Sequence, residues 1–414
     1  MGKTVFHGGV VFDGSGSAPA RADVVIDDGR IVEVGPGLDG DDGIDCTGKA
    51  LLPGLFDCHV HMAFRYEDFD EYARMQEPFS LAFFRMAENL RMTLALGITT
   101  VRDASGADAG LRAAVDEGTL PGPRMQISVT MLSMTGGHND PWLPSGTHGL
   151  GGVEYPGMPS GVCDGVDGAS AKVREVIRAG ADVIKIASSG GFLSPADDPM
   201  EPNYSQEEVD AIVRTAADLG TWVMSHAHGP EGIKRAVRAG VRSIDHGTFL
   251  DDEAIAMMLE RGTWLVPTLT SGDTTEALAN DEKVQPAVRE KLRGLGRPEL
   301  GAFRLAAEAG VKVAMGTDCP VAPHGTNLNE LRHMSEHGFT PAQALHAATL
   351  SAAELMGLDG ELGTLEPGKR GDLVVLDGDP LVFDDYERRI EQVWKDGLRV
   401  VPFSVSSRNA PVPR

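Results

Sequence analysis

Five stretches of the chain end an apolar run in a residue that can bind a metal ion or move a proton. The run 54–61 closes on Asp57, His59 and His61, which alternate and therefore share one face of an extended strand. The run 181–187 sets Lys185 among aliphatic neighbours, and 221–226 ends in His226, with His228 two positions on. The run 242–245 leads into Asp245-His246-Gly247, and 311–317 leads into Asp318. Taken singly, each has an ordinary alternative: a satisfied core histidine, a helix-capping aspartate, or a lysine whose amine snorkels from an edge strand. Taken together, His59, His61, His226, His246 and Asp318 are a donor set for borderline-soft divalent ions, zinc first, then manganese, cobalt or nickel. Lys185 fits the same chemistry by another route. Burial disfavours its ammonium and two nearby dications disfavour it further, and the neutral amine can react with carbon dioxide. The resulting carbamate has two oxygens that can bridge two metals. Two dications offset by carbamate, aspartate and hydroxide leave only a modest net positive charge.

Such a site needs elements that bring five strand ends to one place. Eight strand-like apolar runs, 54–61, 98–102, 125–131, 181–187, 221–226, 242–245, 263–268 and 311–317, alternate with segments of helical period. Ser205-Gln206-Glu207-Glu208 reads as a capping box opening a helix that ends near Leu219-Gly220. Eight βα units with near-continuous apolar strands predict an α/β fold, a closed (β/α)8 TIM barrel over 54–362. An open doubly wound sheet is the alternative, and no Gly-x-Gly-x-x-Gly or P-loop supports nucleotide binding. Both ends of the chain read as short strands separated by turns such as Asp28-Gly29, Asp377-Gly378 and Asp396-Gly397. Neither end has enough strands for its own core, so 1–53 and 363–414 are expected to form one small β-sandwich together. Two inserts, 132–168 and 271–300, are expected as loops on the C-terminal face of the barrel, where substrates bind.

Composition bounds the partners. Among 414 residues, 61 acidic against 37 basic side chains give a formal charge of -24, which repels nucleic acid and anionic membranes. The four cysteines, Cys46, Cys58, Cys163 and Cys319, lack zinc-ribbon spacing and are too few for a disulfide framework. No apolar run reaches the length of a membrane span, and residues 1–12 have no signal-peptide core. A cytoplasmic protein is expected, its partners a small-molecule substrate and further copies of itself in a homo-oligomer.

His59-x-His61, Lys185, His226, His246 and Asp318 resemble the binuclear amidohydrolase superfamily. The flanking text adds Pro53-Gly54-Leu55-Phe56-Asp57, Gly97-Ile98-Thr99-Thr100-Val101-Arg102-Asp103, Thr135-Gly136-Gly137-His138, Val266-Pro267-Thr268-Leu269, Pro323-His324-Gly325 and Leu365-Glu366-Pro367-Gly368-Lys369. These are similar to its prolidase-like (Xaa-Pro dipeptidase-like) zinc dipeptidase branch, and the resemblance covers essentially the whole chain. It implies that His59, His61 and Asp318 hold one ion and His226 and His246 the other, with carboxylated Lys185 bridging both. It further implies that a water between the ions is the nucleophile and that Asp318 takes its proton and returns it to the leaving amine. His138 is then a candidate donor to the developing oxyanion. His228 stands where several relatives carry a substrate-contacting tyrosine, and His324 is a candidate for a substrate carboxylate or a cap of its own loop.

The activity so implied is hydrolysis of an amide bond in a small substrate, a dipeptide or N-acyl amino acid. A cyclic amide, carbamate, ester or organophosphate offers the same hydroxide a comparable electrophile. Deamination of a heterocycle is a third reading, because His228-Gly229-Pro230-Glu231 has a deaminase-like His-x-x-Glu spacing, but the strand-end ligand is expected at His226. A scaffold without metals is the fourth, and it would have no use for six intact ligands.

Overall fold

A computed structural model describes residues 2–64, 76–143, 145–146 and 155–400. The N-terminal strands are β1 Thr4–His7, β2 Val10–Val11, β3 Ala20–Arg21, β4 Asp23–Asp27, β5 Arg30–Gly35, β6 Asp42–Asp45 and β7 Lys49–Pro53. There follow β8 Leu55–Val60, α1 Leu81–Ala95, β9 Ile98–Asp103, α2 Ala109–Asp116, β10 Arg124–Ile127, β11 Met131–Leu132, α3 Gly165–Arg178 and β12 Ile184–Ala187. Next come α4 Gln206–Asp218, β13 Val223–Ala227, α5 Pro230–Ala239, β14 Ser243–His246, α6 Asp252–Arg261 and β15 Trp264–Val266. Six helices then run in succession: α7 Thr275–Asn280, α8 Pro286–Leu292, α9 Pro298–Ala309, α10 Asn329–Glu336, α11 Pro341–Ala347 and α12 Leu350–Met356. The described chain closes with β16 Leu373–Asp377, β17 Ile390–Lys395 and β18 Leu398–Val400.

Parallel pairing runs β10-β9-β8 in one sheet and β11-β12-β13-β14-β15 in another. Backbone hydrogen bonds join the two. Asp182 and Val183 donate to the Ile127 carbonyl; Leu265 donates to Lys312 and Ala314 to Leu265; Cys58 donates to Met315 and Asp318 to His59. The ring is thus a closed (β/α)8 barrel. Every residue of β8, β9, β13 and β14 is buried, as strands walled by helices require. The Ser205–Glu208 capping box forms in both directions and starts α4, which buries Val209, Ala211, Ile212 and Ala216.

At the ends of the chain, the six-stranded sheet β18-β17-β16-β7-β2-β3 mixes strands from both termini, and β5-β4-β1-β6 forms a second sheet. Phe6, Val24 and Ile31 from the latter share one core with Leu51, Val375 and Trp394 from the former. The expected stretch 363–414 runs past the described residues at 401–414.

Three expectations are corrected. The eighth run, 311–317, is not a regular strand: Val313 makes a bridge to Leu265, but the Met315 amide is drawn to the Ala347 carbonyl at the end of α11. The third run breaks into β10 and β11 around Val129, whose φ of 64° no continuous strand accepts. The insert 271–300 is not a loop. It carries α7, α8 and the start of α9, and Leu278, Val284, Val288 and Leu292 give it a small core of its own. Between β11 and α3 the insert 132–168 carries only isolated bridges such as Ser133–Val162 where it is described, and its positions 144 and 147–154 lie outside the described residues.

Candidate active site

The C-terminal ends of β8, β12, β13, β14 and the 311–317 segment converge on a cavity of about 340 Å3 lined by His59, His61, His138, Lys185, His226, His228, His246 and Asp318. Six of the expected ligands therefore meet at one place, together with His138 and His228. His324 does not join them. Its Nε2 lies 3.3 Å from the His61 carbonyl, behind the ligand strand, and it is absent from the cavity lining, so the loop-bracing alternative describes its placement.

Each ligand ring is anchored through one nitrogen by a group outside the proposed ligand set, and in His59 and His61 the other nitrogen meets Asp318. His59 Nδ1 is 2.9 Å from Asp245 Oδ2, and its Nε2 is 3.2 Å from Asp318 Oδ1. His61 Nδ1 bonds the Ser105 carbonyl, and its Nε2 is also 3.2 Å from Asp318 Oδ1. His246 Nδ1 bonds Thr268 Oγ1 at 2.7 Å. His226 is held the other way round, Nε2 against the Gly190 carbonyl at 3.2 Å, which leaves Nδ1. Such partners fix tautomer and ring orientation ahead of any ion.

Two overlapping sets of donor atoms lie within 4.8 Å of one another: His59, His246 and Asp318, and His226, His228 and His246. His228 is thereby grouped with His226 and His246. Its Nδ1 bonds Thr248 Oγ1 at 2.7 Å, and its ring stacks on His246 with centroids 4.8 Å apart.

The electrostatics suit cations. Burial, with neighbouring imidazoles, holds His226 and His246 well below the usual histidine range, so both present lone pairs. Burial likewise lowers Lys185, against the pull of Asp245, and brings the neutral amine within reach. Burial opposes ionisation of Asp318, but His59 and His61 outweigh it and keep the carboxyl well below its normal value. His61 is raised, because Asp318 overcomes its burial. The donor chemistry, the orienting partners and the spacing thus fit divalent ions.

The backbone carries strain at the same place. Asp318, His246 and Thr268 are non-glycine residues at φ of 58°, 73° and 52°. Each such conformation costs on the order of 1–3 kcal/mol and persists only where the surroundings over-determine it. Gly316 lets the eighth segment approach β8: a Cβ there would lie 2.4 Å from Val266 Cγ1 and 2.9 Å from the His59 amide.

Three supporting groups escaped sequence reasoning. Asp245 is the buried charge between the two halves of the site, contacting Lys185 Nζ at 3.0 Å, His59, Ser243 Oγ and Arg102 Nη2 at 3.2 Å. Arg102, fully buried, also donates to the Cys58 carbonyl at 2.7 Å and so ties β9 to the ligand strand. Asp197, Ser194 and Lys291 form a cradle for His138. His138 Nδ1 is 2.8 Å from Ser194 Oγ and 3.5 Å from Asp197, whose carboxylate Lys291 meets at 3.0 Å, while the ring stacks on His226 at 4.1 Å. Asp245 and Arg102 stood inside recognised motifs, and a charge within an apolar strand was the available signal. Nothing local marks Asp197.

A model of the amidohydrolase family matches residues 50–400. The chain belongs to the amidohydrolase family. It is therefore an enzyme of C–N bonds, in a family that generally uses divalent metals. It is 34% identical to the ochratoxinase of Aspergillus niger, over 95% of this chain and 86% of that protein. The crystal structure of A. niger ochratoxinase superposes with a TM-score of 0.85 at 31% identity, over 97% of this chain and 96% of that one. A Xaa-Pro dipeptidase with bound methionine superposes with a TM-score of 0.87 at 36% identity, over 96% of this chain and 100% of that one. A prolidase complexed with N-methylphosphonate-L-proline gives 0.88 at 37%, over 96% and 99%. These relatives place this amidohydrolase in the prolidase-like branch. Among the described residues, no helix is long and apolar enough to cross a membrane.

Proposed function

We propose that this amidohydrolase cleaves the amide bond of an N-acyl amino acid with a bulky apolar acyl group, using two divalent ions, zinc first. The carrying observation is the contrast within one cavity. Its floor is the histidine cluster with Asp318, and its walls include Met131, Phe192, Leu278, Leu292, Leu295 and Val321. Apolar walls with a few converging polar groups favour a largely apolar ligand. A dipeptide would also bring a free ammonium. Among the described lining residues the only carboxylates are Asp318 and Glu299, and Glu299 is engaged by Arg297. The similarity to ochratoxinase supports the N-acyl reading, and that to a Xaa-Pro dipeptidase supports the dipeptide as the second.

His59, His61 and Asp318 would hold one ion, and His226 and His246 the other, with Lys185 as its carbamate between them and His228 beside the second. When bound, the ions supply Lewis acidity, which polarises the scissile carbonyl and makes water a nucleophile near neutral pH. Asp318, kept ionised by its imidazole neighbours, accepts the water's proton and returns it to the leaving amine. His138 is held at Nδ1 by Ser194, with Asp197 behind that contact, which leaves Nε2 as the atom to meet the developing oxyanion. The apolar wall excludes water and strengthens each of these contacts.

Amine release from zinc-loaded protein, measured over a panel, tests this reading. N-benzoyl and other N-acyl amino acids should turn over fastest, and dipeptides more slowly. Turnover confined to cyclic amides or phosphotriesters would refute it.

A further inference from the structure

Away from the barrel mouth, another group of donors comes together on α10. One ligand atom from each of His333, Glu336 and His337 lies within 4.8 Å of the other two. The two histidines, four residues apart, occupy the last turn of the helix and its cap, where that spacing puts side chains on one face. Their rings are 6.4 Å apart with planes inclined by 21°. The negative end of the helix dipole favours a cation there.

Two further observations separate this cluster from an ordinary polar surface. His333 is only 6% exposed, and its Nε2 is 2.9 Å from the Asp273 carboxylate, which Arg297 also contacts at 3.1 Å. A carboxylate behind an imidazole is the arrangement that orients a metal-ligating histidine and raises its basicity. Glu336 makes an exposed pair with Arg332 at 3.3 Å, worth little in water, so turning toward an ion costs it little.

We propose that His333, Glu336 and His337 form a separate site for one borderline-soft divalent ion, of the zinc, nickel or copper class, with Asp273 as the positioning residue. Two imidazoles and a carboxylate suit those ions over calcium or magnesium. The site joins α10 to the cavity wall. Asp273 belongs to the 3-10 segment Leu269–Thr274, of which Ser271 and Gly272 line the cavity. One turn earlier on α10, buried Glu330 accepts hydrogen bonds from the Leu269 and Thr270 amides, directly after Thr268, which holds His246. An ion here braces that wall from outside, whatever chemistry the barrel performs.

Equilibrium dialysis of the full chain against Zn2+, with elemental analysis, tests it. The wild type should bind one equivalent per chain that His337→Ala lacks, while the equivalents removed by His226→Ala are retained. Glu336→Gln, at an exposed position, should weaken the same equivalent. Asp273→Asn, which leaves all three donors in place, should weaken it by about 10–100-fold, an effect a merely structural aspartate would not have on zinc affinity. Identical zinc stoichiometry and affinity in the wild type and His337→Ala would overturn the proposal. If the barrel held no zinc, the wild type would bind a single equivalent that His337→Ala abolishes, which separates failure of the barrel reading from failure of this one.

Discussion

Gly191→Ala isolates the placement of His138. The glycine φ lies outside the left-handed region, so an alanine backbone is tolerated there. Its Cβ, however, would fall 2.1 Å from His138 Cε1 and 2.2 Å from Nδ1. Carbon atoms in contact settle near 3.5–4.0 Å, so the ring must retreat by about 1.5 Å. That displacement breaks the 4.1 Å stack on His226 and draws Nδ1 away from Ser194. A shift of about 1 Å in a group that meets the transition state costs on the order of 100-fold. Because His138 is not among the proposed ligands, the loss should fall on kcat, with bound metal unchanged. The assay is steady-state hydrolysis of an N-acyl amino acid on zinc-loaded protein, beside elemental analysis of the same sample. A kcat within twofold of wild type would refute the role given to His138; parallel loss of metal would show that the ring supports the ion site instead.

Asp245→Asn removes the charge that Lys185, His59 and Arg102 share, and chelator titration should show metal affinity lowered about 10–100-fold, with a lower melting temperature. Asp318→Asn should retain much of the metal by elemental analysis and lose turnover by at least about 100-fold, since it removes the proton acceptor. His324 supplies a pH test. Burial lowers its pKa from 6.5 to about 4, so the unfolded chain binds more protons between those values. Its contribution, up to about 3 kcal/mol, is present above pH 6.5 and lost as pH falls toward 4. Melting temperatures of metal-free protein should therefore fall less between pH 7 and 5 in His324→Gln than in the wild type.

What was legible in the sequence was the set of strand ends. A barrel delivers every strand terminus to one face, so His59, His61, Lys185, His226, His246 and Asp318 could be assembled without knowing a single contact. What was not legible was the layer behind them. Asp245 meets Lys185 across 60 residues of chain and Arg102 across 143, and Asp197 reaches His138 and Lys291 from a loop with no periodicity. The helices inside 271–300 had a signal that polarity masked. Pro286 and Pro298 each open a helix, and Val284, Val288 and Leu292 recur at helical spacing. His324 had two readings in the sequence, and only the contact of its Nε2 with the His61 carbonyl, which no local pattern announces, separates the loop brace from the substrate contact.

The metal content of active protein is the most direct measure of the proposed site. Full-length chain, dialysed to remove loosely held zinc and then assayed, should retain two divalent ions in the barrel per chain. A chelator should strip both together with activity, and restored zinc should return it. Lys185→Ala should lose ions and activity in the same preparation. Full activity with well under one ion per chain would contradict the account outright.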